Sequence, residues 1–247
     1  MGSVENLGAL GLLLLALAVM AGAGTQRLSG LGLALVSSPF LVLLVGPFTG
    51  VLLANALSLI ANLVVLAQTW RAVEVRRAMW LALPGLVAVV PGAWVVRNLP
   101  APVLSITVGG LVLVALAAVL LSGSARIRPG RRGTVVAGAA SGFMAVTAGV
   151  GGPALSIYAL SSGWAHASFV ATAQLCFAVV NAGSLVAKGW PSLSLQTWAV
   201  AVTALAVGIA LGQRLSRVVT PERARLMVVV LAVLGASATV VKGVVDL

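Results

Sequence analysis

The feature that most constrains this chain is the absence of charge over two long stretches. No Asp, Glu, Lys or Arg occurs from Leu28 to Trp70, and none from Gly133 to Ala187. A helix crosses a bilayer with about 20 apolar residues, so each stretch holds two or more membrane segments. The whole chain is 61% hydrophobic and 8% charged, where a soluble domain carries about a quarter charged residues. A transmembrane β-barrel needs alternating polar and apolar residues, and runs such as LGLLLLALAV do not alternate. The sequence reads as an all-α polytopic membrane protein, one membrane domain over residues 1–247.

The formal net charge of +11 could suggest nucleic acid. The basic residues instead sit in short loops between apolar runs, as cytoplasmic loops require, so no nucleic-acid partner is expected. Cys176 is the single cysteine, which leaves no disulfide framework and no cysteine metal cluster. The apolar core from Leu12 to Met20 is preceded by no Lys or Arg, only Glu5. The basic region of a signal peptide is therefore missing, and this stretch reads as a mature membrane segment.

Ten apolar segments can be marked, at about 8–24, 29–45, 50–67, 79–96, 102–121, 134–148, 151–162, 168–186, 196–212 and 226–244. Pro84 and Pro91 lie inside the fourth and are expected to bend it. Sliding the chain by 119 residues sets Ser29–Val36 on Ala148–Leu155, with Gly30 on Gly149 and Gly32 on Gly151. The same offset sets Asn62 on Asn181 and Asn55 on Gln174. The sequence thus reads as two repeats, 7–122 and 134–247, joined by a basic linker at 123–133.

Five segments per half would turn the second half upside down. Loop charge tests this. With 71–77, 126–132 and 214–225 inside, 11 of the 15 basic residues face the cytoplasm and only Arg97, Lys188 and Lys242 face out, with Arg27 in a segment break. That satisfies the orientation rule for a multi-pass protein of the cell (inner or plasma) membrane with both termini outside. The first two segments of each half then start and end on one side. Parity alone leaves open whether they are full spans or a re-entrant hairpin.

The stretch Gly138–Ser161, GAASGFMAVTAGVGGPALSIYALS, carries Gly142, Gly149, Gly151, Gly152 and Pro153. A plain spanning helix would avoid these residues, and a broken backbone is tolerated in hydrocarbon only where it lines a cavity or is buried in protein. Inverted repeats with breaks at matching positions are the mark of secondary transporters. Half-helix N-termini there offer free N–H groups and a positive dipole end, which suit an anion. The break at Gly149–Pro153 and its echo at Gly30 and Gly32 are therefore the candidate binding site. The competing reading of such glycines is close helix packing.

Arg27, in TQRLSGLG, is a charge embedded in a membrane break and reads as a counter-charge, with Gln26 beside it as a donor. The alternative is that it snorkels to the surface. Asn55, Asn62, Gln174 and Asn181 are amides inside apolar helices, which either line the site or hold helices together. Tyr158 follows the break within reach of it. No membrane segment holds a carboxylate, and no HExxH, GxSxG or GxxxxGKS motif occurs. An enzyme, a metal site or a cofactor is not expected.

These residues resemble the sulfite exporter TauE/SafE family, the TSUP permeases. GVGGPALSIYAL (Gly149–Leu160) is similar to that family's second-half motif, and QRLSGLGLALVSSPFLVLLVGP (Gln26–Pro47) to its first-half motif. The resemblance also takes in LANALSLIANLVVL and nearly the whole chain. It departs in reading SGLGLAL, where many members carry a third glycine, and GGPAL, where many carry two prolines. The resemblance implies a permease for small anions such as sulfite, sulfonates like sulfoacetate, or other sulfur-containing organic anions. An anion channel of the same fold and a non-transporting structural membrane protein remain as alternatives. The expected partners are the small anion and the bilayer, with a homo-oligomer left open.

Overall fold

A computed structural model of the chain describes residues 7–29, 33–121, 130–216 and 218–247, with side chains for all of these except Arg27, Leu28, Ser29 and Pro221. Among the described residues the chain is helical, in ten α-helices: α1 Ala9–Ser29, α2 Leu33–Val45, α3 Pro47–Thr69, α4 Val75–Asn98, α5 Ala101–Leu121, α6 Arg131–Ala148, α7 Gly152–Ser162, α8 His166–Lys188, α9 Leu195–Leu215 and α10 Pro221–Val245. One short 3-10 turn, Trp70–Ala72, follows α3. Each of the ten apolar segments corresponds to one helix. By length and hydropathy seven of them can cross a membrane: α1, α3, α4, α5, α8, α9 and α10.

The two short helices decide the topology. α2 has 13 residues and α7 has 11. At 1.5 Å per residue they rise about 20 and 16 Å, well short of the ~30 Å hydrocarbon core. α7 folds back on α6: Tyr158 Oη lies 2.9 Å from Thr134 Oγ1, and Ser141 Oγ donates to the Gly151 carbonyl at 2.8 Å. Both open ends of this hairpin sit by the start of α4, where the Arg131 guanidinium lies 5.7 Å over Trp80 and the Arg77 guanidinium 4.6 Å over Trp164. α1 and α2 form the matching hairpin. A Cβ at Gly22 would meet Leu33 and Ser37 near the tip, while Leu14 and Leu17 share a groove with Leu43 and Leu44 near the open end. Both segment pairs are therefore helical hairpins, each with one arm too short to cross the bilayer.

Helices in lipid gain little from apolar burial and associate through close packing and interhelical hydrogen bonds. Small residues set the crossings here. Gly138 lies against the Leu81 carbonyl, Gly142 against Gly85, and Gly92 against Val146, so α4 and α6 run parallel. Gly142, which a plain spanning helix was expected to avoid, is thus accounted for by packing. α6 passes through it unbroken, and its missing side chain admits the backbone of α4. α4 likewise continues as one helix through Pro84 and Pro91.

Two further pairs run antiparallel. On α5 and α10, Gly109 meets Ala236 and Val240, and Gly243 meets Pro102 and Ile106. On α3 and α8, Asn55 meets Ser184, while Glu74, just beyond α3, bonds Thr172. α1 packs on α9 as α6 packs on α4. The largest buried cluster is centred on α2 and α3, where Leu33, Leu35, Val36, Leu41, Val51, Leu53 and Leu57 are enclosed.

Candidate functional site

The break between α6 and α7 is built by Gly149. Its φ of +77° is left-handed, a conformation that disfavours any residue with a Cβ. Its N–H closes the helix on the Ala145 carbonyl at 2.9 Å, and the Val150 N–H reaches the Met144 carbonyl at 3.1 Å. Pro153 stands in the first turn of α7, where its lack of an N–H removes nothing.

The cut end of α6 leaves the Val146 and Ala148 carbonyls without helical donors; side chains of α8 and α2 supply them, and α3 adds a second donor to the Ala145 carbonyl. Ser38 of α2 donates to the Ala148 carbonyl at 2.6 Å. Lys188 of α8 donates to the Val146 carbonyl at 2.6 Å. With its amide turned so that every contact is satisfied, Asn55 of α3 donates to the Ala145 carbonyl at 3.0 Å. Its Oδ1 accepts from Ser184 Oγ at 2.6 Å and Lys188 Nζ at 3.0 Å. Positive groups near a helix C-terminus also oppose its dipole. Lys188 is only 4% exposed, and among the described residues no carboxylate pairs with it. The sequence placed it outside the membrane; it is a buried part of this structure.

The tips of the two hairpins meet. A Cβ on Gly149 would touch Ala54, Ser38 and Ala34 at 3.2–3.5 Å. Between the tips lies a cavity of about 30 Å³, bordered by Gln26 of α1, Leu33, Ala34 and Leu35 of α2, Ser58 and Asn62 of α3, Ala145 of α6, Gly149–Gly152, and Phe177 and Asn181 of α8. That is room for one or two waters. The first residues of both short helices thus border one space, which brings two positive helix ends together. The Gln26 Oε1 already accepts the Leu33 N–H at 3.1 Å. Ser141 draws the Gly151 carbonyl toward α6.

Two amide atoms at this cavity are stranded. Asn62 and Asn181 are 3% and 4% exposed, and neither Asn62 Nδ2 nor Asn181 Oδ1 has a hydrogen-bond partner. An unsatisfied buried polar atom costs about 1–3 kcal/mol and commonly marks an absent ligand or water.

Of the residues singled out in the sequence, Gln26, Asn62, Gly149, Gly151, Gly152 and Asn181 border the cavity. Asn55 braces the end of α6 instead. Tyr158 bonds Thr134 and packs edge-on to Trp164 at 6.2 Å, toward the open end of the hairpin. Gln174 is buried in α8 with its Oε1 unpartnered and does not line the cavity. The Arg27 side chain, Gly30 and Gly32 lie outside the described residues. The sequence reading missed Ser38, Ser58, Ser184 and Lys188. A helical-face argument reaches three of them, since Ser58 lies between Asn55 and Asn62 on one face, and Asn181, Ser184 and Lys188 share another.

A bundle of membrane-length helices holding two hairpins, each with one half-length arm, around a polar cavity is the architecture of a multi-pass transporter. The family profile described as Sulfite exporter TauE/SafE matches residues 14–239. The chain belongs to that family, which consists of membrane transporters and not enzymes. No curated protein and no solved structure matches it.

Proposed function

We propose that this chain is a permease for small sulfur-containing anions, sulfite or a sulfonate, working by alternating access. The observation that carries the reading is the pair of stranded amides, Asn62 and Asn181, facing one cavity between two half-helix N-termini. Oxyanion oxygens would accept from Asn62 Nδ2 and from the free N–H groups of the α2 and α7 first turns. A protonated oxygen or amino group of the substrate would donate to Asn181 Oδ1. Arg27, in the last turn of α1, supplies the counter-charge in this proposal. The repeats are 7–122 and 134–247, with 123–133 between them. Their inversion is supported by the antiparallel crossings of α3 with α8 and α5 with α10, the pairs that the 119-residue offset equates. The basic loops face the cytoplasm of the cell membrane and both termini face out.

Half-helices that end at a central cavity support a carrier over an open channel. The contact that holds the tips together, Ser38 to Ala148, is the one that parts to admit substrate. The test is uptake of sulfite and of a sulfonate into liposomes holding the purified protein. Saturable uptake with counterflow is expected, and Arg27→Ala should lower it at least about tenfold, the equivalent of about 1.4 kcal/mol. Wild-type rates in Arg27→Ala refute the counter-charge, and uptake of neither anion by the wild type refutes the substrate class.

A further inference from the structure

The parallel packing of α4 and α6 sets their first turns side by side, and both turns are basic. Between them is an open cleft of about 480 Å³ lined by Glu74, Val75, Arg76, Arg77, Trp80 and Arg131. One arginine is fixed in place. Glu74 Oε1 accepts from Trp164 Nε1 at 2.8 Å, its Oε2 pairs with Arg77 at 3.2 Å, and the Arg77 guanidinium lies 4.6 Å over the Trp164 ring. Arg131 stacks at 5.7 Å over Trp80. Three arginines against one glutamate leave the cleft with two uncompensated positive charges.

Below the cleft the surface turns apolar along a single stripe of α4. Arg76, Trp80, Leu83 and Val87 follow one another at spacings of four, three and four residues, so they stand on one face. Trp80 is 46% exposed, Leu83 57% and Val87 72%. On α6, Val135 and Val136 continue the exposed apolar surface one turn below Arg131 and Arg132. Tryptophan at the junction of charge and hydrocarbon is where an amphipathic ring sits at a membrane interface.

We propose that this cleft seats the phosphate of an anionic phospholipid, with its acyl chains lying along the α4 stripe. Charge complementarity selects the anionic headgroup, and the continuous apolar stripe selects a lipid over a soluble anion. The site is separate from the transport cavity. It lies at the open end of the α6–α7 hairpin, separated from the tip by the length of α6, about 25 Å, so its test does not depend on the transported substrate.

The probe is dioctanoyl phosphatidylglycerol added to the detergent-purified full chain, with dioctanoyl phosphatidylcholine and sodium phosphate as the other arms. Melting temperature is the readout. Phosphatidylglycerol should raise it saturably, with little effect from the other two. Arg76→Gln with Arg131→Gln should weaken that response about 30-fold, from about tenfold or less per arginine near the surface, while leaving the lipid-free melting temperature unchanged. Should the double variant fold poorly, salt serves in its place: the wild-type phosphatidylglycerol response should shrink as ionic strength rises. Equal stabilisation by phosphatidylcholine overturns the proposal, as does an undiminished response in the variant or in high salt. A phosphate response matching that of phosphatidylglycerol makes the cleft a free-anion site and also overturns it.

Discussion

Asn55 and Asn62 lie seven residues apart on one face of α3, yet leucine at the two positions should shift stability in opposite directions. Asn62 Nδ2 is buried without a partner, a state that costs about 1–3 kcal/mol. Leucine removes that stranded donor, and the adjoining cavity of about 30 Å³ takes up part of its extra bulk. Asn62→Leu should therefore stabilise the substrate-free protein by about 1 kcal/mol, the low end of the range for a stranded donor. Asn55→Leu strands the buried Ser184 hydroxyl and removes one contact of the Lys188 amine and the second donor to the Ala145 carbonyl, which keeps the Gly149 N–H. At about 1–3 kcal/mol for a buried group left unsatisfied, it should destabilise by about 2 kcal/mol. The assay is thermal unfolding in detergent, with and without sulfite. In Asn62→Leu the loss of a hydrogen bond to a charged ligand, about 1.5–3 kcal/mol, should weaken the sulfite response about 10- to 150-fold. Two results refute the reasoning: destabilisation by both substitutions to a similar degree, or a full sulfite response in Asn62→Leu.

Gly149→Ala should cost about 1–2 kcal/mol from the left-handed backbone alone, with the tight approach to Ala54 at 3.2 Å and Ser38 at 3.3 Å added. It should lower both the melting temperature and sulfite uptake, and an unchanged melting temperature would show that the break does not need glycine. Gly142→Ala carries no backbone strain, but its Cβ runs into the Gly85 backbone. Overpacking of this kind costs about 1–3 kcal/mol, and a melting temperature equal to wild type would show that α4 and α6 do not touch there.

Much of the fold was legible because bilayer thickness and chain charge act locally. Ten apolar segments became ten helices, since every backbone group in hydrocarbon must be satisfied within its own segment. The break at Gly149–Pro153 was readable for the same reason: left-handed backbone and a helix-starting proline are properties of single residues. What Gly142 does was not readable. A glycine in a break and a glycine under a crossing helix look alike until the neighbour is known, and here the neighbour is the Gly85 backbone.

The amides show the limit most clearly. Asn55, Asn62, Gln174 and Asn181 are matched in sequence and all are buried, but only Asn62 and Asn181 reach the cavity. Helical periodicity fixes the face a residue occupies; the depth at which a hairpin tip arrives fixes its partner. Lys188 follows the same rule. Hydropathy assigns it to a loop because a charge is costly in lipid, whereas the cut end of α6 supplies the Val146 carbonyl that lets it lie buried. The sequence by itself determined an all-helical membrane chain and the place where its backbone breaks. Only the tertiary structure decided that the segment pairs are hairpins, that their tips meet, and which polar groups are left facing one another, because those outcomes depend on helix length and on packing between residues more than a hundred positions apart.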